Sequence, residues 1–262
     1  MVTLTLYIIG LGIREETELT EKLISILRRC KYVYWESYTS PAPYSLSDII
    51  KKLGREVKVL RRGDLEDRIE DIIVDAKKEN IAILVCGDPL IATTHINIIL
   101  EAERMGIEYR VFHASSILSA GIGESGLHLY KFGPSGTIVR EEKASNKRNI
   151  DILKFNLENG LHTLYFLEYD KDEDYIMPPS YAIKILSKYA KDTLSKYNPY
   201  IIILCGIGTQ NPYKRALKYN EAIKLLNKLP IDKPCIIIVS GQLHYLSLIH
   251  ISEPTRPLYI SY

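Results

Sequence analysis

The run Ile81-Ala82-Ile83-Leu84-Val85-Cys86 and the turn that ends it, Gly87-Asp88-Pro89, constrain the fold more than any other stretch. Six apolar residues in a row leave no polar face. The run therefore reads as a parallel strand buried on both sides. Glycine then permits a tight backbone and proline removes a donor, so the strand stops there. Thr93 or Thr94 is suited to cap a following helix running to about Met105, with Gly106 as its stop. An acid, Asp88, thus stands on a rigid turn at the carboxyl end of a central strand, where open α/β sheets bind ligands. The plainer alternative is an ordinary βα turn in which Asp88 only bonds nearby amides.

Elements before and after this strand repeat the same logic. Leu4 to Ile9 reads as a strand, followed by Gly10-Leu11-Gly12 and a helix opened by Leu19-Thr20. Tyr32 to Trp35 is a strand ending at Glu36. The start imitates a dinucleotide fold, but Glu15 stands where a third glycine belongs. Glu15, Glu16 and Glu18 would repel a pyrophosphate, so a cationic or zwitterionic ligand suits the turn better. Ser47 to Leu53 and Leu65 to Lys78 read as helices, Val57 to Leu60 and Tyr109 to Phe112 as strands. Ser115 and Ser116 precede a small-residue helix from Ile117 and are good caps; amides beside them suit a carboxylate.

The second half differs in texture. Thr137 to Arg140, His162 to Leu167, Tyr200 to Cys205 and Cys235 to Val239 read as strands. Asp151 to Asn159, Pro179 to Ala190 and Ala216 to Leu229 read as helices. Glu141 to Asn149 reads as a solvated charged loop, and Asp170 to Asp174 as an acidic one. Gly206-Ile207-Gly208 is a second glycine turn at a strand's end. The expected architecture is α/β, with two α/β domains over residues 1–113 and 114–262 and a ligand cleft between them.

Composition narrows the class. With 262 residues, 46% hydrophobic and 25% charged, the chain has ample material for a globular core. A net charge of +2 argues against a nucleic-acid footprint. No apolar run reaches membrane-spanning length and no signal-peptide pattern opens the chain, so a cytoplasmic protein is expected. Cys30, Cys86, Cys205 and Cys235 form no CxxC pair and read as reduced core thiols. The histidines show no metal-ligand spacing, so no metal is expected.

Four motifs in order, YIIGLG…ELT at 7–20, GDPLIATTH at 87–95, HASSI at 113–117 and GQLH at 241–244, carry a resemblance. With Tyr38-Thr39-Ser40 and Leu161-His162-Thr163, they resemble the diphthine synthases, which are tetrapyrrole-methylase-like methyltransferases using S-adenosylmethionine (SAM). The resemblance implies a two-domain homodimer that binds SAM between its domains. It implies methylation of the amino group of a modified histidine on translation elongation factor 2, yielding diphthine. Ligand contacts would fall on Ile13, Asp88, Ile91, Ser116, Ile117, Leu167, Ile207 and His244. SAM carries its own leaving group, so no catalytic dyad is required, and none is evident in the sequence. Tyr38 and Glu168 are candidates to stabilise a cationic product. His244 and His95 are candidate bases, His95 more plainly a structural residue. The competing readings are a corrin or porphyrin methylase of the same fold and a non-catalytic protein that docks on the elongation factor. Residues 246–262, with Pro254 and Pro257, depart from the family pattern and read as a non-native tail.

Overall fold

The computed structural model describes residues 4–230 and 232–243. They fall into two compact units. The first runs through Ser119 and also includes 170–173 and 208–210; the second holds the remainder.

The first unit carries β1 (Leu6–Gly10), α1 (Glu21–Arg29), β2 (Tyr32–Glu36), α2 (Leu46–Leu53), β3 (Lys58–Leu60), α3 (Arg62–Glu66), α4 (Ile69–Ile73), β4 (Ile81–Val85), α5 (Ile96–Arg104) and β5 (Tyr109–Phe112). The five strands are all parallel, in the order β3-β2-β4-β1-β5. The apolar run is β4, buried at every residue. Its side chains alternate between two cores. Ala82 and Leu84 meet Leu23, Leu27, Ile49 and Leu53 of α1 and α2, whereas Ile81, Ile83 and Val85 meet Ile73, Ile98 and Ala102 of α4 and α5.

Side-chain caps fix the starts of α1 and α2. Thr20 Oγ1 accepts from Leu23 N at the start of α1, and Ser45 and Asp48 form a reciprocal capping box on α2. Two expectations are corrected here. The helix expected over Leu65 to Lys78 is broken into α3, α4 and a 3₁₀ turn over Val74–Lys77, because Arg68 leaves helical geometry at φ −132°. Neither Thr93 nor Thr94 caps α5. The Thr93 hydroxyl donates back to Pro89 O at 2.8 Å, Ala92 takes φ 56°, and the helix starts only at Ile96. Gly106, at φ 66°, ends that helix as expected.

The second unit carries the C-terminal part of α6 (Ile117–Glu124), then β6 (Gly136–Ile138), α7 (Lys147–Glu158), β7 (Thr163–Leu167), β8 (Tyr169–Asp170), β9 (Tyr175–Ile176), α8 (Pro179–Tyr197), β10 (Tyr200–Cys205), β11 (Tyr213–Lys218), α9 (Tyr219–Lys224) and β12 (Cys235–Val239). Its five-stranded sheet runs β11-β10-β12-β7-β6, antiparallel except at the β6–β7 edge. Ile201, Ile203, Ile237 and Val239 pack with Leu153, Leu157, Ile183 and Leu186 of α7 and α8. At Gly121 of α6, a Cβ would lie 2.3 Å from Ile236 Cδ1, so glycine is what admits that isoleucine.

Three readings of the second half change. Residues 213–218, expected in part as helix, form edge strand β11, and α9 is short. After Asp170, which ends β8, the acidic segment to 174 is a loop as expected, the turn between β8 and β9. Asn146 and Asn149, expected in a solvated loop, are buried: Asn146 bonds both the amide and the carbonyl of Val139, and Asn149 Nδ2 donates to Thr137 O. Cys205 and Cys235, expected as reduced thiols, lie opposite each other on β10 and β12 and form a disulfide. Cys30 and Cys86 are free and buried.

Candidate functional site

The candidate site in the first unit is built where β1, β4 and β5 end side by side. Strand order alone brings three βα turns to one carboxyl edge. Gly10 shows how closely they meet. A Cβ there would lie 2.6 Å from Gly87 O, 2.8 Å from the Ala114 side chain and 3.0 Å from Pro89. Gly12 and Gly87, at φ 75° and 71°, exchange backbone hydrogen bonds of 3.3 and 3.0 Å across the gap.

Asp88 is buried and holds two turns together. Its Oδ1 accepts from Leu90 N at 3.0 Å, closing its own turn. Its Oδ2 accepts from Ala114 N at 3.3 Å and from His113 Nδ1 at 2.8 Å. The local-bonding alternative is thus realised at Asp88, and a carboxylate–imidazole pair stands with it. The His113 side chain is 66% exposed.

The next residue pair ties β5's turn to β1's. Ser115 N donates to Glu18 Oε2 at 3.0 Å, the Ser115 hydroxyl donates to Glu18 Oε1, and Ile13 N donates to Ser115 Oγ at 3.2 Å. Glu18 fills the space over Gly12, where a Cβ would lie 2.2 Å from its carboxyl carbon. Ser116 is buried, and its Oγ accepts from Leu118 N at 3.2 Å, a cap on α6. Ile117 follows, half-buried. Ile13 is half-buried and Ile91 exposed on the two glycine-bearing turns. A Cβ on Gly87 would meet nothing nearer than Ile13 Cγ2 and Ser115 O, both at 3.8 Å, so a ligand has room against this backbone.

Beside this edge lies a fully buried acid. Glu36, at the end of β2, accepts from Tyr38 N at 2.5 Å, Thr39 N at 2.7 Å and the Thr39 hydroxyl at 2.7 Å. His95 is buried between this acid and the β4 turn: Nδ1 donates to Pro89 O at 3.0 Å, and Nε2 lies 3.6 Å from Glu36 Oε2. Its place is structural. Tyr38 is buried with Arg62 stacked over its ring at 5.1 Å, and burial raises its phenol above the usual tyrosine range. Tyr38 thus already carries a cation, Arg62, against its ring.

The other expected contacts belong to the second unit or fall outside the described residues. Leu167 ends β7, half-buried, and Ile207 is buried in the turn after β10. Glu168 is tied up by Arg140, whose backbone amide, Nε and Nη2 donate to it at 2.6, 3.0 and 2.9 Å, so its candidacy to stabilise a product is withdrawn. His244 lies outside the described residues, so the structure says nothing of it as ligand or base. The start of its motif is anchored: Gly241 N donates to His162 Nδ1 at 2.8 Å. Burial, with Lys131 and His128 nearby, lowers the His162 pKa to about 4 and keeps the ring an acceptor.

Among the described residues no group of three or more His, Cys, Asp or Glu is placed to hold a metal. No described helix is long and apolar enough to cross a membrane. Glu18, Glu36 and His113 were not singled out from the sequence as site residues. Glu18 and His113 nonetheless stand in the quoted motifs.

Residues 5–203 match the model of the tetrapyrrole (corrin/porphyrin) methylases. The chain is 32% identical over 248 residues to diphthine synthase of Methanocaldococcus jannaschii, covering 92% of this chain and 95% of that one. It is 34% identical over 255 residues to diphthine synthase of Methanothermobacter thermautotrophicus, covering 95% and 94%. A crystal structure of diphthine synthase superposes with a TM-score of 0.83 at 29% identity, covering 95% of each chain.

Proposed function

Because the chain belongs to the tetrapyrrole methylase family, in the line of the diphthine synthases, we propose that it transfers methyl groups from SAM to the modified histidine of elongation factor 2. The chain is a methyltransferase of diphthamide biosynthesis. The observation that carries the reading is the near full-length similarity to diphthine synthases, far beyond one shared motif. The edge of β1, β4 and β5 supports the choice of donor. The positive-φ Gly87 leaves room against its backbone, Ile13 and Ile91 offer apolar surface for a nucleoside, and the carboxylates of Glu15, Glu16 and Asp88 favour a cation. Ile13, Asp88, Ile91, Ser116 and Ile117 are the proposed contacts at this edge, and Leu167 and Ile207 are proposed contacts carried by the resemblance. A homodimer is the proposed assembly.

SAM, when bound, supplies an activated methyl group with its leaving group attached. The chain's own task is to hold donor and acceptor in line and keep water out. Incubation with radiolabelled SAM and elongation factor 2 bearing the unmethylated precursor tests the reading. Label on the factor is the expected result. Label on a corrin or porphyrin acceptor, with none on the factor, would move the chain to the tetrapyrrole methylases proper.

A further inference from the structure

We propose that His113 is the general base of methyl transfer, held by Asp88 as its orienting partner. The inference rests on the methyltransferase reading above, and it assigns a proton-transfer role that the need for SAM alone does not require. An amine acceptor is a nucleophile only after it has lost a proton, and each successive transfer again requires an unprotonated nitrogen. Some group must receive that proton. Asp88 Oδ2 accepts a hydrogen bond from His113 Nδ1–H at 2.8 Å, which selects the neutral tautomer whose lone pair is on Nε2, at the opposite edge of the ring. Asp88 is itself fixed by Leu90 N and Ala114 N, so the imidazole is held by a rigid turn at the end of the ligand-binding edge. The two histidines nearest in role are excluded by geometry. His95 is 1% exposed and enclosed between Pro89 and Glu36, and His162 spends Nδ1 on Gly241 N. The His113 side chain is 66% exposed, as a base serving a macromolecular acceptor must be before that acceptor covers it.

The step balances with the named reactants. Nε2 takes one proton from the acceptor ammonium, and the freed nitrogen lone pair forms a bond to the methyl carbon of SAM. The carbon–sulfur bond breaks with its electron pair remaining on sulfur, which leaves as a neutral thioether. The imidazolium returns its proton to water between transfers. Positioned bases of this kind contribute roughly 100-fold or more to rate.

His113→Asn tests the proposal. An asparagine amide keeps a donor toward Asp88 but has no Nε2. The expected variant binds SAM and elongation factor 2 within about twofold of wild type by calorimetry, yet transfers methyl about 100-fold more slowly in single turnover, and added imidazole restores part of the rate. Transfer at the wild-type rate would overturn the proposal while leaving the function intact. So would a loss explained by weaker SAM binding and untouched by imidazole, since that marks a residue that only shapes the turn. No transfer by the wild-type chain overturns the functional reading and this proposal together.

Discussion

Two buried side chains set the residue scale. His162 is buried neutral, with a pKa near 4 in the folded chain against about 6.5 when unfolded. Between these values the unfolded chain binds a proton that the folded chain refuses, so stability falls as the pH drops from about 6.5 toward 4. The stabilisation present above 6.5 and lost below 4 is on the order of 3 kcal/mol. Urea unfolding at pH 7 and pH 4.5 should show this loss in the wild type and a smaller one in His162→Gln. Equal losses would remove His162 as the cause. At Asp88, alanine removes acceptors for two amides and a histidine, and with them the tie between the turns after β4 and β5. SAM binding should weaken by about 1.5–3 kcal/mol, the worth of hydrogen bonds to a charged group. Calorimetry returning wild-type affinity in a folded Asp88→Ala would take Asp88 out of the donor site. The place of Asp88 was legible from sequence, because a Gly-Asp-Pro turn after six apolar residues puts an acid at the end of a buried strand. His113 was not, because it lies 25 residues away and only the placing of β1 between β4 and β5 brings the two together.

Among elements, the ends of helices and the edges of sheets decide what a sequence discloses. Thr20, Ser45 and Ser116 cap helices with their own side chains, and local chemistry of that kind is readable in the chain. Ser116→Ala should cost about 1 kcal/mol as a lost cap. If Ser116 also touches SAM, the rise in melting temperature on adding saturating SAM should shrink in the variant, since ligand stabilisation follows affinity. An undiminished rise would leave it a cap alone. Strand β11 escaped notice because YKRALK carries three cations at a sheet edge, where charge blocks further pairing and masks the alternating pattern. The disulfide escaped for a related reason: its cysteines are 30 residues apart, and pairing depends on the register of β10 against β12. Thiol titration in denaturant should therefore find two reactive groups before reduction and four after. Removing the bond in Cys235→Ser should lower stability by about 2–4 kcal/mol. Four thiols without reductant would return the pair to the reduced state expected from sequence.

For the molecule as a whole, the position of β1 has a consequence for the order of events on the ribosome. β1 is made well before both of its neighbours, β4 and β5, so Leu6 waits about 75 residues for Ile81 and about 100 for Tyr109. At about 5–20 residues per second, an apolar strand stays without either neighbour for several seconds at least. Nothing local relieves it, since parallel partners cannot be supplied by a hairpin. Released chains ending before β4 should therefore show no cooperative unfolding and no protected amides in Leu6–Gly10. Chains extended past Phe112 should gain both. Protection in the shorter chains would mean that β1 finds a temporary mate. The strand that brings the β4 and β5 turns together is thus the part of this sheet that waits longest for a partner after it is made.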